Sequence, residues 1–258
     1  MPLHRLCTAR APLPALVVIP VFSALLLAAC STPAPLAEGP AQTTPDVLKA
    51  DYDRSIRSAA VKEPGFSVPL RAIPAGQKMV TVGTFTEWGA PPNPLKRDVW
   101  VSLPDQLREL CRGKPDAVLA LQQILGLPPQ PAPSKPENRF AVVTFEVPRD
   151  AMFRPCPGGT DVGAAQCTAG DLSAKLDHET TTFLLNQIWT SYRTGFTQAG
   201  GDGELQPRWG YPFTGMGWSY NWDPAASSRV GISEYVVRKG APATVLEIST
   251  PEAFCGAA

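Results

Sequence analysis

The sequence predicts an α+β fold, a single domain of mainly antiparallel sheet with one long and several short helices. Two observations predict it. Apolar residues recur at helical spacing in four stretches, the longest running from Asp171 to Arg193. Short β-branched or alternating segments, set apart by Gly, Pro and Asp turns, fill much of the rest and crowd the C-terminal third, as antiparallel strands do. No internal repeat and no break in composition divides the chain into two domains.

Taken in order, Thr44-Pro45-Asp46 supplies a capping hydroxyl, a first-turn proline and an early acid, so a helix starts there. Leu48, Tyr52 and Ile56 carry it to about Ala60, and Pro64, Pro69 and Pro74 prevent a regular element after it. Met79–Phe85 alternates and reads as a strand, as does Val99–Val101. Ser102-Leu103-Pro104-Asp105 opens a short helix carrying Leu107, Leu110 and Cys111. Asp116–Leu125 is a second, with Val118, Leu121 and Ile124 on one face and Gly126 as its C-cap. Phe140–Val147 is a buried strand, and Asp150–Gly170 a loop. Asp171–Arg193 is the long helix, striped by Leu172, Leu176, Phe183, Leu184, Ile188 and Tyr192. Strands then follow at Trp209–Phe213, Gly217–Trp222, Ile232–Arg238 and Thr244–Ile248. Turns separate them at Thr214-Gly215, Asp223-Pro224 and Lys239-Gly240.

The N-terminus sets the compartment. Residues 1–14 carry Arg5 and Arg10 and no acid; an apolar run with Pro20 inside it follows and is too short to span a bilayer. It ends in Leu27-Ala28-Ala29-Cys30, which resembles the lipobox of bacterial lipoproteins. That resemblance implies that residues 1–29 are a removed signal peptide and that Cys30 is lipidated. Membrane attachment through two or more acyl chains is then stable. Ser31, where an aspartate would mark inner-membrane retention in that family, implies an outer-membrane protein facing the periplasm. Residues 30–46, the lipidated cysteine and a Pro-rich stretch, form a tether, and 47–258 the folded domain.

Cleavage leaves 229 of 258 residues with a net charge of −2, which argues against a nucleic-acid partner. Of six cysteines, Cys7 leaves with the signal and Cys30 is lipidated; Cys111, Cys156, Cys167 and Cys255 remain, an even number in an oxidising compartment. Two disulfides are expected. Three connectivities exist; Cys156–Cys167 is favoured because it closes a Pro/Gly-rich loop too polar to hold itself, which leaves Cys111–Cys255. The cysteine spacings match no zinc pattern, and no metal or cofactor site is expected.

Six aromatic residues stand out: Trp209, Tyr211, Phe213, Trp218, Tyr220 and Trp222. Spacing of two places three rings on one face of each half, and Thr214–Gly217 would fold the halves into a hairpin. Such rings are either a sheet core or a stacking platform for sugars. His178, the one histidine of the mature chain, is expected as an exposed helix-start residue. Glu87, Asp98, Glu146 and Glu234 have apolar neighbours; two of them brought about 5–9 Å apart would make a glycosidase-like pair. No nucleophile elbow, zinc-protease motif, phosphate loop or dinucleotide fingerprint occurs, and no catalytic residue is assigned. The leading expectation is a lipid-anchored, non-enzymatic protein that binds another envelope protein or assembly. Cell-wall glycan binding through the aromatic strands is the alternative, and an envelope hydrolase the third.

Overall fold

A computed structural model describes residues 44–61, 66–168, 176–191, 195–198, 205–208 and 210–256, with 195–198 and 205–208 described by backbone alone. The signal segment, Cys30, the tether as far as residue 43, the start of the long helical pattern at 171–175 and Trp209 lie outside them. Helix α1 (Pro45–Ala60) begins as its cap dictates: the Thr44 hydroxyl accepts from Val47 N–H at 3.4 Å. Strands β1 (Met79–Thr86) and β2 (Val99–Val101) precede α2 (Pro104–Cys111) and α3 (Ala117–Ile124). Asp116 caps α3 through Leu119 N–H at 2.9 Å, and Gly126 closes it at φ +67°, a left-handed conformation that suits glycine. Next come β3 (Ala141–Pro148), a short β4 (Met152–Phe153), α4 (His178–Ser191), and β5 (Gly195–Gln198) paired with β6 (Leu205–Arg208). The chain ends with β7 (Trp218–Tyr220), β8 (Val230–Ser233), β9 (Tyr235–Val237), β10 (Thr244–Ser249) and α5 (Pro251–Cys255).

These elements form a mixed α+β domain with antiparallel pairing, as expected. One sheet has the order β1-β3-β10, a second β2-β9-β4, and a bridge between Gly83 and Ser102 links them. Val80, Val82, Phe145 and Val147 of the first sheet meet Val101, Tyr235 and Val237 of the second in one core. A second core lies where α1 covers β7, with Tyr52 and Ile56 against Trp218 and Trp222. A third joins α2, α3 and α5 (Leu107, Leu121, Phe254) to Val142 and Ile232.

The structure corrects the C-terminal reading in three places. Residues 210–213 are not a strand: Pro212 offers no N–H for a ladder, and Phe213 N–H turns back to Tyr211 C=O at 2.7 Å. The aromatic strand β7 therefore pairs with β8, Trp218 opposite Ser233, and not with the preceding segment. The run Ile232–Arg238 is two strands, because β8 follows β7 whereas β9 passes between β2 and β4. Glu234 is the residue at the break. Strand β4 and helix α5 were not expected, although Thr250-Pro251-Glu252 repeats the pattern that starts α1, and the Thr250 hydroxyl accepts from Ala253 N–H.

Both favoured disulfides are present. Cys111–Cys255 ties α2 to α5 across a sequence separation of 144, and Cys156–Cys167 closes a separation of 11. Chain entropy ranks them: removing the first by paired Cys→Ala substitution should cost about 5 kcal/mol and removing the second about 3 kcal/mol. Denaturant unfolding of C111A/C255A and C156A/C167A measures both. The account fails here if the short-loop variant is the less stable of the two.

Candidate functional site

Most of the predicted residues disperse, but Glu87 and Asp98 line one cleft, with Phe85, Trp88, Trp100 and Phe140. Trp218, Tyr220 and Trp222 are buried, and two segments are the reason: Tyr52 of α1 meets the Trp222 indole edge-on at 5.6 Å, and Phe66, beyond α1, meets Trp218 at 5.0 Å. Both indole N–H groups are satisfied inside, Trp218 donating to Phe66 C=O at 3.1 Å and Trp222 to Leu127 C=O at 2.9 Å. These three rings belong to the second core, although Tyr220 also lines the cavity described below. Phe213 is also buried, and Tyr211 alone of the five described rings is exposed, at 45 %.

His178 stands exposed at the start of α4. Beside it Asp177 accepts from the Thr180 backbone and hydroxyl at 2.7 and 2.8 Å, which holds its carboxyl below the usual range, and Arg238 lies 3.2 Å away. Glu87 accepts from Ser134 N–H and Asp98 from Lys239 N–H, both in loop-fastening roles. Glu146 sits on β3 opposite Thr81 and Thr244. Among these four carboxylates, Glu234 alone lines the cavity described next.

That cavity holds about 320 Å³, at the small end of ligand clefts, which span ~300–1,000 Å³. Its walls are mostly apolar. Phe85, Trp100, Leu125 and Ile232 line it, as does Phe213, whose ring meets Trp100 edge-on at 6.0 Å. Exposed Tyr211 belongs to the same lining. The strand break between β8 and β9 places Glu234 here, its backbone N–H held by Gly217 C=O at 2.9 Å. Glu234 is half-buried, and lost hydration pushes its carboxyl up to about 8, against the opposing pull of Arg154. Ser191, the last residue of α4, brings a second polar group: it is 1 % exposed, and its hydroxyl has no partner among the described residues. Sequence reasoning missed Ser191, which is one polar residue at the end of an apolar stripe. It placed Glu234 only among several carboxylates.

Arg154, also unforeseen, supports Glu234. Its side chain is fully buried, and its guanidinium donates to Arg71, Val162 and Ala164 C=O at 2.7, 3.1 and 3.2 Å and lies 4.6 Å over the Tyr235 ring. Gly217 permits this approach: at φ +73° it suits glycine, and a Cβ there would stand 2.8 Å from Arg154 Cδ.

A second feature is convex. β10 is the end strand of its sheet and exposes Leu246 (52 %) and Ile248 (55 %), with a register shift between Val245 and Glu247. Among the described residues no three His, Cys, Asp or Glu gather into a metal-binding group, and no helix is long and apolar enough to cross a membrane. Comparison with family models, with curated proteins and with solved structures gives no significant match.

Glu234 makes stability pH-dependent with a fixed sign. Below about pH 4.5, its ordinary value, folded and unfolded chains both hold the proton; between 4.5 and about 8 the unfolded chain loses it first, so folding weakens as pH rises. Glu234→Gln lacks this penalty. Its stability relative to wild type should climb by up to about 1.4 kcal/mol per pH unit across that window, read by denaturant unfolding from pH 4 to 9. A flat difference would contradict a raised Glu234 carboxyl.

Proposed function

We propose that this chain is a lipid-anchored cell-envelope protein that acts by binding another envelope protein or assembly. Leu27-Ala28-Ala29-Cys30 supports the anchor, attached through Cys30 to a membrane facing the periplasm, with Ser31 favouring the outer one. The two disulfides support an oxidising compartment. The Pro-rich tether gives the domain reach from the lipid surface.

One observation carries the binding role: the apolar strip of Leu246 and Ile248 on the end strand β10. An end strand presents unpaired backbone groups to any chain that can add to it, and soluble proteins blunt such edges with charge or proline. β10 carries a charge, Glu247, and an irregularity beside it, yet two large apolar side chains flank that charge in the open. A protein partner that adds a strand, or lays an apolar surface along β10, would bury them. The glycan reading loses support, since Trp218, Tyr220 and Trp222 lie beneath α1. The hydrolase reading has less to rest on: Glu87 and Asp98 line one cleft, but each already accepts a backbone N–H, from Ser134 and Lys239, and Glu234 lines a different cavity.

Cross-linking in intact envelopes, followed by affinity recovery of the full-length protein, tests this. Wild type should recover one reproducible protein partner, and L246K/I248K should lose it with a thermal midpoint within a few degrees of wild type. Recovery of the same partner by the folded double variant would overturn the β10 assignment. Recovery of no partner by wild type would overturn the binding role.

A further inference from the structure

The cleft that holds Glu87 and Asp98 has a volume of about 1090 Å³, just above the ~300–1,000 Å³ span of small-molecule clefts, so it suits an extended ligand better than a compact one. None of its lining residues belongs to β10. Three aromatic side chains are exposed among the described residues, Trp88, Trp189 and Tyr211, and two of them line this cleft: Trp88 at 60 % and Tyr211 at 45 %. Half-buried Phe85, Trp100 and Phe140 join them, with the Phe85 and Phe140 rings stacked at 5.3 Å. The charged side chains of the cleft balance, Glu87 and Asp98 against Lys96 and Arg97. None of the four makes an ion pair among the described residues.

We propose that this cleft binds an uncharged glycan chain, its sugar faces stacked on Trp88 and Tyr211 and its hydroxyls bonded by Glu87, Asp98, Lys96 and Arg97.

The strand rings Trp218, Tyr220 and Trp222 belong to the second core, so the exposed rings for stacking are those of this cleft. Its polar groups select the ligand. Two acids and two bases leave it without net charge, so it draws neither anions nor cations. Each acid is fixed by one oxygen: Glu87 Oε2 accepts from Ser134 N–H, and Asp98 Oδ1 accepts from Lys239 N–H at 2.8 Å. The other oxygen of each accepts nothing among the described residues and is open to a donor. A carboxylate only accepts, and an ammonium or guanidinium only donates. The ligand must therefore carry donors and acceptors together and still present flat apolar faces to the rings. A sugar does both, with C–H groups on its faces and hydroxyls, which donate and accept, around its edge. A proline-rich peptide would suit the rings, as in other aromatic-lined grooves. Proline has no N–H, however, so such a peptide would cover both carboxylates without offering a donor, and a carboxylate that loses water without a new bond is costly. A lipid chain fails in the same way at all four charges.

Calorimetric titration of chitohexaose and of cellohexaose into the full-length protein, in a detergent without a sugar headgroup, tests this. At least one of these uncharged chains should bind saturably. Its affinity should fall about tenfold in Trp88→Ala and in Tyr211→Ala, each the loss of one stacked ring. Trp189→Ala removes an exposed ring outside the cleft and should leave the affinity unchanged. Both cleft rings are exposed, so the thermal midpoints should stay within a few degrees of wild type; if one variant does not fold, the other decides alone. Binding of neither chain, or binding that the folded cleft variants leave unchanged, would overturn the proposal. An equal loss in Trp189→Ala would overturn the location. Tighter binding of decaproline than of either chain, weakened by the same two variants, would overturn the glycan assignment in favour of a peptide. None of these results bears on the β10 partner, whose test is recovery from envelopes.

Discussion

One buried arginine holds the domain's segments in register. Arg154 is fully buried, and its guanidinium donates to the carbonyls of Arg71, Val162 and Ala164, with Gly217 C=O at 3.5 Å. Those carbonyls belong to three stretches with no secondary structure in common: the extended segment before β1, the Cys156–Cys167 loop, and the turn into β7. A cation taken out of water is tolerated only where its hydrogen bonds are replaced. Here backbone dipoles replace them, and the Tyr235 ring covers one face. Leu70 N–H and Ile73 N–H also bond into the same loop, at Ala165 and Val162 C=O, so the arginine completes a lattice that the backbone begins. The Arg154 Nε has no partner among the described residues, and the guanidinium pulls the Glu234 carboxyl down against the larger effect of burial.

From this centre the cavity follows. The run from Val230 to Val237 must serve β7 on one side and the β2-β9-β4 sheet on the other, and it changes allegiance at Glu234. Gly217 C=O takes the Glu234 N–H and also stands near Arg154, so the strand break, the arginine and the acid share one anchor. Packing closes on every side of that point except toward Trp100, Phe213 and the end of α4, and the cavity is the space left. Of the disulfides, one fixes the loop that Arg154 grips, and the other clamps α5 onto α2 at the third core.

Much of this was readable because local physics determined it. A threonine hydroxyl, a proline and an acid start α1 whatever else the chain does, and Asp116 with Gly126 brackets α3 in the same way. Alternation in Met79–Thr86 and the apolar run of Ala141–Pro148 declare strands, and a loop too polar to bury itself declares its own disulfide. What escaped depends on distant segments. That β7 pairs with β8 was decided by Pro212, which spoils the nearer partner, and by a strand ten residues beyond the aromatic one. That the aromatic face is core was decided by α1, some 160 residues earlier, since Tyr52 and Ile56 show only their own amphipathicity. Arg154 sits between Phe153 and Pro155 with no periodicity around it, and Ser191 gains meaning only from an empty volume. The α5 start was legible and overlooked, because its Thr-Pro-Glu matches the signal that reveals α1.

The central claim is that the planar, multiply donating guanidinium of Arg154, and not merely a positive charge, joins the three segments. Denaturant unfolding of Arg154→Lys tests it most directly, because lysine keeps the charge but presents its donors from a single nitrogen and cannot span the same carbonyls. The account predicts a loss of about 3–5 kcal/mol, the range for breaking a buried charge's partnerships, with the disulfides still formed. A lysine variant as stable as wild type would show that charge alone suffices and would remove the arginine from the centre of the fold.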